Sequence, residues 1–105
     1  MTEESLEMIP FQIISNVGSA KSLVMEALYA AKNGDFDQAE EKLQESQSFF
    51  VEGHKAHASL IQKEAAGEEL RFSLFLMHAE DQLMNTETIK ELVKEMIEMY
   101  KRFGS

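Results

Sequence analysis

Apolar side chains recur every three to four residues along most of the chain, which is the spacing of one face of an α-helix. The first such segment runs from about Ile9 to Asn33, and the second runs roughly from Phe36 to Ala66. A third segment carries the same rhythm as far as Phe103. No stretch alternates polar and apolar residues for long enough to indicate a strand. The pattern therefore predicts an all-α protein.

Two short polar segments separate the predicted helices. In "KNGDFDQ", Gly34 can adopt the left-handed conformation that ends a helix, and Asp35 can cap the next one. "AAGEELRFS" contains a single glycine, and we expect a loop over Gly67–Arg71. The single proline, Pro10, is compatible with the first turn of the first helix. These breaks predict three long antiparallel helices that form one bundle.

The start of the third helix is apolar on nearly every side, as the stretch "FSLFLM" from Phe72 to Met77 shows. A helix in a monomeric three-helix bundle should keep an outward polar stripe. Leu92 and Met99 widen the apolar face in the same way near the C-terminus. We therefore expect a homo-oligomer that associates through the third helix.

Length and composition fit a single domain spanning residues 1–105, with ordinary apolar content and a formal charge of −9. That charge repels phosphate backbones and anionic lipids, so we expect neither a nucleic-acid partner nor direct membrane insertion. No cysteine is present, which removes disulfides and thiolate nucleophiles from consideration. The acidic start of the chain and the lack of a spanning apolar run fit a cytoplasmic protein.

Candidate chemistry lies on the third helix, in "LFLMHAEDQLMN". His78, Asp81, Gln82 and Asn85 are spaced so that they share one helix face. An imidazole can act as a nucleophile or proton carrier near neutral pH, and a carboxylate one turn away favours its charged form. The same spacing also fits a non-catalytic helical interaction module, in which His78 and Asp81 satisfy each other at an oligomer interface. Spacing alone leaves both alternatives open.

Two further histidines, His54 and His57, are three residues apart in "EGHKAH". They supply two ligands without the HExxH arrangement, so a zinc site would need a further ligand such as His78. The simpler interpretation is that they line a cleft or the surface.

Nearly the whole chain, from about Phe11 to Arg102, resembles the IIA component of the lactose/cellobiose-type sugar phosphotransferase system, which includes a chitobiose branch. The resemblance rests on "GSAKSLVMEALYAAKNGDFDQAEEKL", "EGHKAHASLIQKEAAGEE", "SLFLMHAEDQLM" and "ELVKEMIEMYKR". The family pattern around its phosphorylated histidine is similar to H-[AG]-Q-D-H-L-M. Here the stretch that begins at His78 reads HAEDQLM, which agrees at five of seven positions.

The resemblance implies a cytoplasmic phosphocarrier that works as a homotrimer of three-helix subunits. His78 would accept a phosphoryl group from HPr and pass it to a cysteine on a separate IIB component, for uptake of a β-linked disaccharide. Asp81 would point to the three-fold axis, where three carboxylates can hold a divalent cation such as Mg²⁺. His54 would lie beside the pocket as a supporting donor, whereas His57 falls where relatives more often have glutamine and inherits no role.

Two positions depart from the family pattern. Glu80 stands in place of a glutamine and adds a negative charge near a group that must carry phosphate. On its own helix it should point about 160° away from His78, and it would oppose phosphorylation only by reaching the pocket across a subunit boundary. Gln82 stands in place of a histidine, which removes a titratable neighbour but keeps hydrogen-bonding capacity.

Overall fold

The computed structural model describes residues 3–69 and 73–104, with side chains from residue 8 onward in the first range. Three α-helices follow one another, α1 over Glu3–Lys32, α2 over Phe36–Ala65 and α3 over Leu74–Phe103. The described residues contain no strand, so the all-α prediction is confirmed. Part of the predicted second loop, residues 70 and 71, lies outside the described residues, as does Phe72. Within the described part, no helix is apolar over a length sufficient to cross a membrane.

The turn between α1 and α2 has the geometry that its sequence predicts. Gly34 has a φ of 84°, in the left-handed region that glycine adopts without a steric cost. Its backbone N–H donates to the carbonyl of Ala31 at 2.9 Å, and the N–H of Asp35 donates to the carbonyl of Ala30 at 2.9 Å. The Asp35 side chain then accepts from the backbone N–H of Gln38 at 3.1 Å and caps α2. Because this turn is tight, α1 and α2 run antiparallel.

The start of α1 differs from the prediction, because the helix begins at Glu3 rather than near Ile9. Pro10 therefore lies inside the helix and not in its first turn. A proline at that position removes one backbone hydrogen bond. Ile9 and Ile13, on either side of it, are buried at 7% and 0% exposure. Packing of these two side chains against the bundle offsets the lost hydrogen bond and keeps the preceding residues helical.

Helix α1 forms the centre of an elongated bundle of 55 × 21 × 16 Å and packs closely along both other helices. The helices α2 and α3 pack much less closely against each other. The interior consists of two apolar clusters, one at each end of the bundle. The cluster at the N-terminal end of α3 comprises Ile9, Ile13, Val17, Leu60, Ala79 and Leu83. The opposite cluster comprises Ala20, Val24, Ala27, Ala31, Ala39, Phe50, Val93 and Ile97.

The fully buried Ile13 gives a test of this core. Ile13→Ala should lower the free energy of unfolding by about 2–4 kcal/mol, because it removes buried methyl groups and leaves a cavity. Urea unfolding of the purified protein measures this change. Ser15→Ala, at an exposed position on the same helix, should stay within about 0.5 kcal/mol of the native chain. Equal stabilities for the two variants would contradict the packing described here.

Candidate functional site

The site on α3 begins with the residue that starts the helix. The hydroxyl of Ser73 accepts a hydrogen bond from the backbone N–H of Leu76 at 3.0 Å and caps α3 at its N-terminus. His78 and Asp81 follow within the first two to three turns and are both exposed. The cap therefore fixes where the helix starts and, through the helical repeat, which way His78 and Asp81 point.

The opposite face of α3 is buried against the bundle. Ala79 is 0% exposed, and Leu83 and Thr86 are 3% and 1% exposed. These three positions recur at the spacing of one helix face, so the remaining face must point outward. His78, Asp81 and Asn85 are all exposed on that outward face, as the sequence predicts, and Gln82 beside them is half-buried.

Large apolar side chains surround His78 and Asp81 on the outward face of α3 and continue to its C-terminus. We name this set the α3 stripe, and its members are Leu74, Met77, Met84, Leu92, Met96, Met99 and Phe103. All seven are exposed in the single chain, from 42% for Met96 to 85% for Leu74. So many exposed large apolar side chains along one helix face are unusual on a monomer and typical of an interface. The prediction that α3 leaves an apolar face uncovered within one chain is confirmed.

Glu80 points away from this outward face and toward α2. Its Oε1 atom lies 3.2 Å from Nε2 of His57, and the two side chains form an ion pair when the imidazole is protonated. The direction predicted from the helical repeat is therefore confirmed within the subunit. The negative charge that replaces the family's glutamine lies against an imidazole of α2 and not beside His78.

His54 forms a second contact of the same kind, with the carboxylate of Glu87. Glu87 is nine positions after His78, which corresponds to about 13 Å along α3 and to its other side. Within one chain, His54 therefore lies on the α2–α3 side of the bundle. Its supporting role beside the phosphorylated histidine stays a prediction.

The three histidines do not converge within the described chain. His54 and His57 contact different glutamates of α3, and His78 lies on the outward face. Across the ranges 3–69 and 73–104, no group of three or more histidine, cysteine, aspartate or glutamate side chains is close enough to hold a metal ion. The zinc site considered from sequence is thus not formed by these residues in a single chain.

Sequence reasoning missed one contact residue and undervalued another. Glu87 drew no attention, although it is seven residues after Glu80 and so lies on nearly the same helix face. His57 inherited no role from the resemblance because relatives more often have glutamine at that position. The signal in the sequence was that two histidines share one face of α2, three residues apart, and two glutamates share one face of α3, seven residues apart.

A shallow polar groove of about 280 Å³ lies at the other end of the bundle, near the α1–α2 turn. Glu26, Tyr29 and Lys42 line it, and Lys42 Nζ lies 3.8 Å from a carboxylate oxygen of Glu26. The lining of the groove contains no histidine, and its one cation, Lys42, pairs with Glu26. The groove is therefore a weaker candidate for chemistry than the outward face of α3.

Comparison with known proteins bears directly on the α3 face. Residues 8–101 match the family model described as the lactose/cellobiose-specific IIA subunit of the phosphotransferase system. The chain belongs to this IIA family.

Individual relatives agree with that assignment over the full length. The lactose-specific EIIA component of Streptococcus mutans is 42% identical over 102 residues, which cover 97% of this chain and 98% of that protein. The crystal structure of the cellobiose-specific enzyme IIA of Bacillus anthracis superposes with a TM-score of 0.91 at 45% identity, covering 97% of this chain and 92% of that one. The fold of this IIA protein is therefore the family fold.

A third relative is known in a complex. The IIA(Chitobiose) chain in the solution structure of the IIA(Chitobiose)–HPr complex of Escherichia coli superposes with a TM-score of 0.82 at 34% identity. The match covers 95% of this chain and 97% of that one.

Proposed function

We propose that this IIA protein carries a phosphoryl group on His78 between HPr and a IIB component, during uptake of a β-linked disaccharide. The observation that carries the proposal is the exposed His78 on the outward face of α3, within the range that matches the IIA family model. An exposed imidazole on a rigid helix can meet two different partners in turn. A separate permease chain would recognise the sugar itself.

Phosphoryl transfer requires little of the IIA chain beyond correct positioning of His78. The lone pair of a neutral imidazole nitrogen of His78 attacks phosphorus, an N–P bond forms, and the N–P bond to the donor histidine of HPr breaks. In the second transfer a cysteine thiolate of IIB attacks, an S–P bond forms, and the electron pair of the broken bond returns to His78. Positioning and stabilisation of charge supply most of the catalysis in phosphoryl transfer. A fixed, accessible imidazole therefore meets the main requirement.

HPr as the donor is supported by the IIA(Chitobiose)–HPr complex formed by a relative of the same fold. IIB as the acceptor follows from the family, and the absence of cysteine in this chain means that the thiolate belongs to another chain or domain. Both exchanges would take place in the cytoplasm.

The α3 stripe supports assembly into a homotrimer around α3. Its seven apolar side chains, exposed in one chain, would be removed from water by two further copies. Three copies related by a three-fold axis give a closed assembly with no apolar face left over. His78 lies beside the stripe, so the phosphoryl acceptor would lie near a subunit boundary.

The position and the chemistry of Asp81 both suit a ligand of a divalent cation at the proposed trimer axis. It is exposed between Met77 and Met84 of the α3 stripe, the face proposed to meet its own copies. Three carboxylates brought together there repel one another unless a cation or a proton neutralises them. Carboxylate oxygens are the ligands that Mg²⁺ prefers. The ion would supply neutralising charge to the interface, and the three Asp81 side chains would hold it.

The proposed cation site predicts a response to chelation. EDTA should lower the thermal midpoint of the native trimer by about 2–5 °C, and added Mg²⁺ should restore it. In Asp81→Asn the midpoint should no longer respond, because the amides have lost the negative charge that binds the ion. Glu95→Gln removes another exposed acid of α3 and should keep the native response. Differential scanning calorimetry measures all three proteins, and an EDTA response in Asp81→Asn equal to that of the native chain would rule out Asp81 as the ligand.

The proposed function is tested by mixing the native chain with phosphoenolpyruvate, Enzyme I and HPr and measuring the intact mass. One added phosphoryl group per chain is expected, and omission of HPr should abolish it. The alternative function, a non-catalytic helical interaction module, predicts no added mass under any condition. An unlabelled native chain would therefore favour that alternative.

A further inference from the structure

Polar side chains connect α2 and α3 along one side of the bundle, in addition to the apolar clusters that all three helices share. The ammonium group of Lys90 donates to Oε1 of Gln47 at 3.0 Å and lies 4.7 Å from the centre of the Phe50 ring. Toward the N-terminus of α3, His57 contacts Glu80. Because α2 and α3 pack less closely here than either packs against α1, each of these polar contacts has a larger share in fixing their relative position.

The contact between His57 and Glu80 is the polar α2–α3 contact nearest to His78 among those described. Glu80 follows His78 by two residues, whereas Lys90 lies about 18 Å further along the helix. Ala79, between His78 and Glu80, is fully buried against the bundle. The turn that carries His78 is thus anchored to the core through Ala79 and to α2 through Glu80.

We infer that His57 is a positioning residue for His78 and acts through Glu80. The inference rests on the proposed function, in which His78 accepts the phosphoryl group. Glu80 and His78 point in directions about 160° apart on α3, so His57 touches neither the phosphoryl group nor its donor. Its effect passes through the backbone of the first turns of α3, whose rotation and tilt decide where the His78 imidazole points.

The hydrogen bond between His57 and Glu80 can form whether the imidazole is neutral or protonated. An imidazole can donate from Nε2 both as the neutral tautomer protonated there and as the imidazolium, and the Glu80 carboxylate accepts in either case. The two side chains are 27% and 44% exposed, so water screens their attraction and the contact is worth a modest amount. Even a modest contact affects in-line phosphoryl transfer, because a small displacement of the reacting group lowers the rate of transfer.

A set of substitutions separates positioning by the His57–Glu80 contact from an effect of the unpaired Glu80 charge and from a general effect of substitution on α2. His57→Ala removes the contact, and His57→Gln restores a donor of similar reach toward Glu80. The double variant His57→Ala with Glu80→Gln removes the contact together with the negative charge. Lys55→Ala is the matched control, since Lys55 is exposed on the same helix and contacts Glu52 of that helix.

The first measurement is amide hydrogen exchange of residues 76–83, which needs no phosphoryl transfer. His57→Ala and the double variant should exchange about two- to fivefold faster than the native chain, and His57→Gln and Lys55→Ala should match it. Exchange in His57→Ala equal to that in Lys55→Ala would overturn the inference, whether or not the native chain is ever phosphorylated.

The second measurement is the rate of phosphoryl transfer from phosphorylated HPr. His57→Ala should lower kcat about two- to fivefold with KM unchanged, and His57→Gln should restore it. The double variant should stay as slow as His57→Ala. Recovery of kcat in the double variant would show that the unpaired charge of Glu80 caused the loss, and it would overturn the positioning role. A native kcat in His57→Ala would overturn that role as well. A native chain that takes no phosphoryl group refutes the proposed function, and the exchange result then decides the structural part alone.

Discussion

His78→Ala is expected to abolish acceptance of the phosphoryl group from HPr. No other side chain beside His78 on the outward face of α3 offers a basic nitrogen lone pair, because its polar neighbours there are the carboxylate of Asp81 and the amides of Gln82 and Asn85. The loss should therefore reach the background of the assay rather than a fraction of the native rate. Rapid-quench measurement of phosphoryl uptake from HPr, followed by intact mass, gives the result.

Lys94→Ala is the control for this variant, since Lys94 is exposed on α3 away from the α3 stripe. It should accept the phosphoryl group at the native rate. Circular dichroism should show native helix content for both variants, because His78 is exposed and its removal opens no cavity. Uptake by His78→Ala above one tenth of the native rate would place the acceptor elsewhere.

Leu92→Asp is expected to prevent formation of the proposed homotrimer and leave monomers. Leu92 is 53% exposed in one chain and lies in the α3 stripe, close to the helix direction of Asp81. Assembly would place three new carboxylates in an apolar interface, where burial of a charge is strongly unfavourable. Analytical ultracentrifugation should give the mass of one chain, 12.0 kDa, for Leu92→Asp and three times that mass for the native protein.

The matched control for assembly is again Lys94→Ala, which changes the net charge in the same direction by the same amount. It should remain trimeric, and its helix content and that of Leu92→Asp should equal the native value. A trimeric Leu92→Asp protein would show that the α3 stripe is not the interface.

The sequence was sufficient for the fold wherever local chemistry decides the structure. The turn between α1 and α2 is determined by the local conformational preferences of Gly34 and Asp35. The spacing of apolar residues in each segment likewise indicates which face of the helix is buried. The start of α1 was predicted incorrectly because Pro10 is a local signal against a helix interior. Burial of Ile9 and Ile13 outweighs that signal, and burial depends on the neighbouring helices.

The candidate site was only partly predictable for a related reason. The helical repeat places His78 and Asp81 on one face and turns Glu80 away, and both are observed. The same repeat cannot say which residue of α2 Glu80 meets, because that depends on the register between two helices. The role of His78 could not be obtained from spacing, which fits an interface histidine equally well. The proposed role of His78 rests instead on the resemblance to the family motif.

Mapping of the phosphoryl group along the native chain tests the central claim most directly. The chain is phosphorylated through Enzyme I and HPr, digested at alkaline pH to preserve the N–P bond, and its peptides are sequenced by mass spectrometry. The expected result is a single phosphoryl group on the imidazole of His78. A group on His54 or His57, or the absence of any phosphorylated peptide, would contradict it.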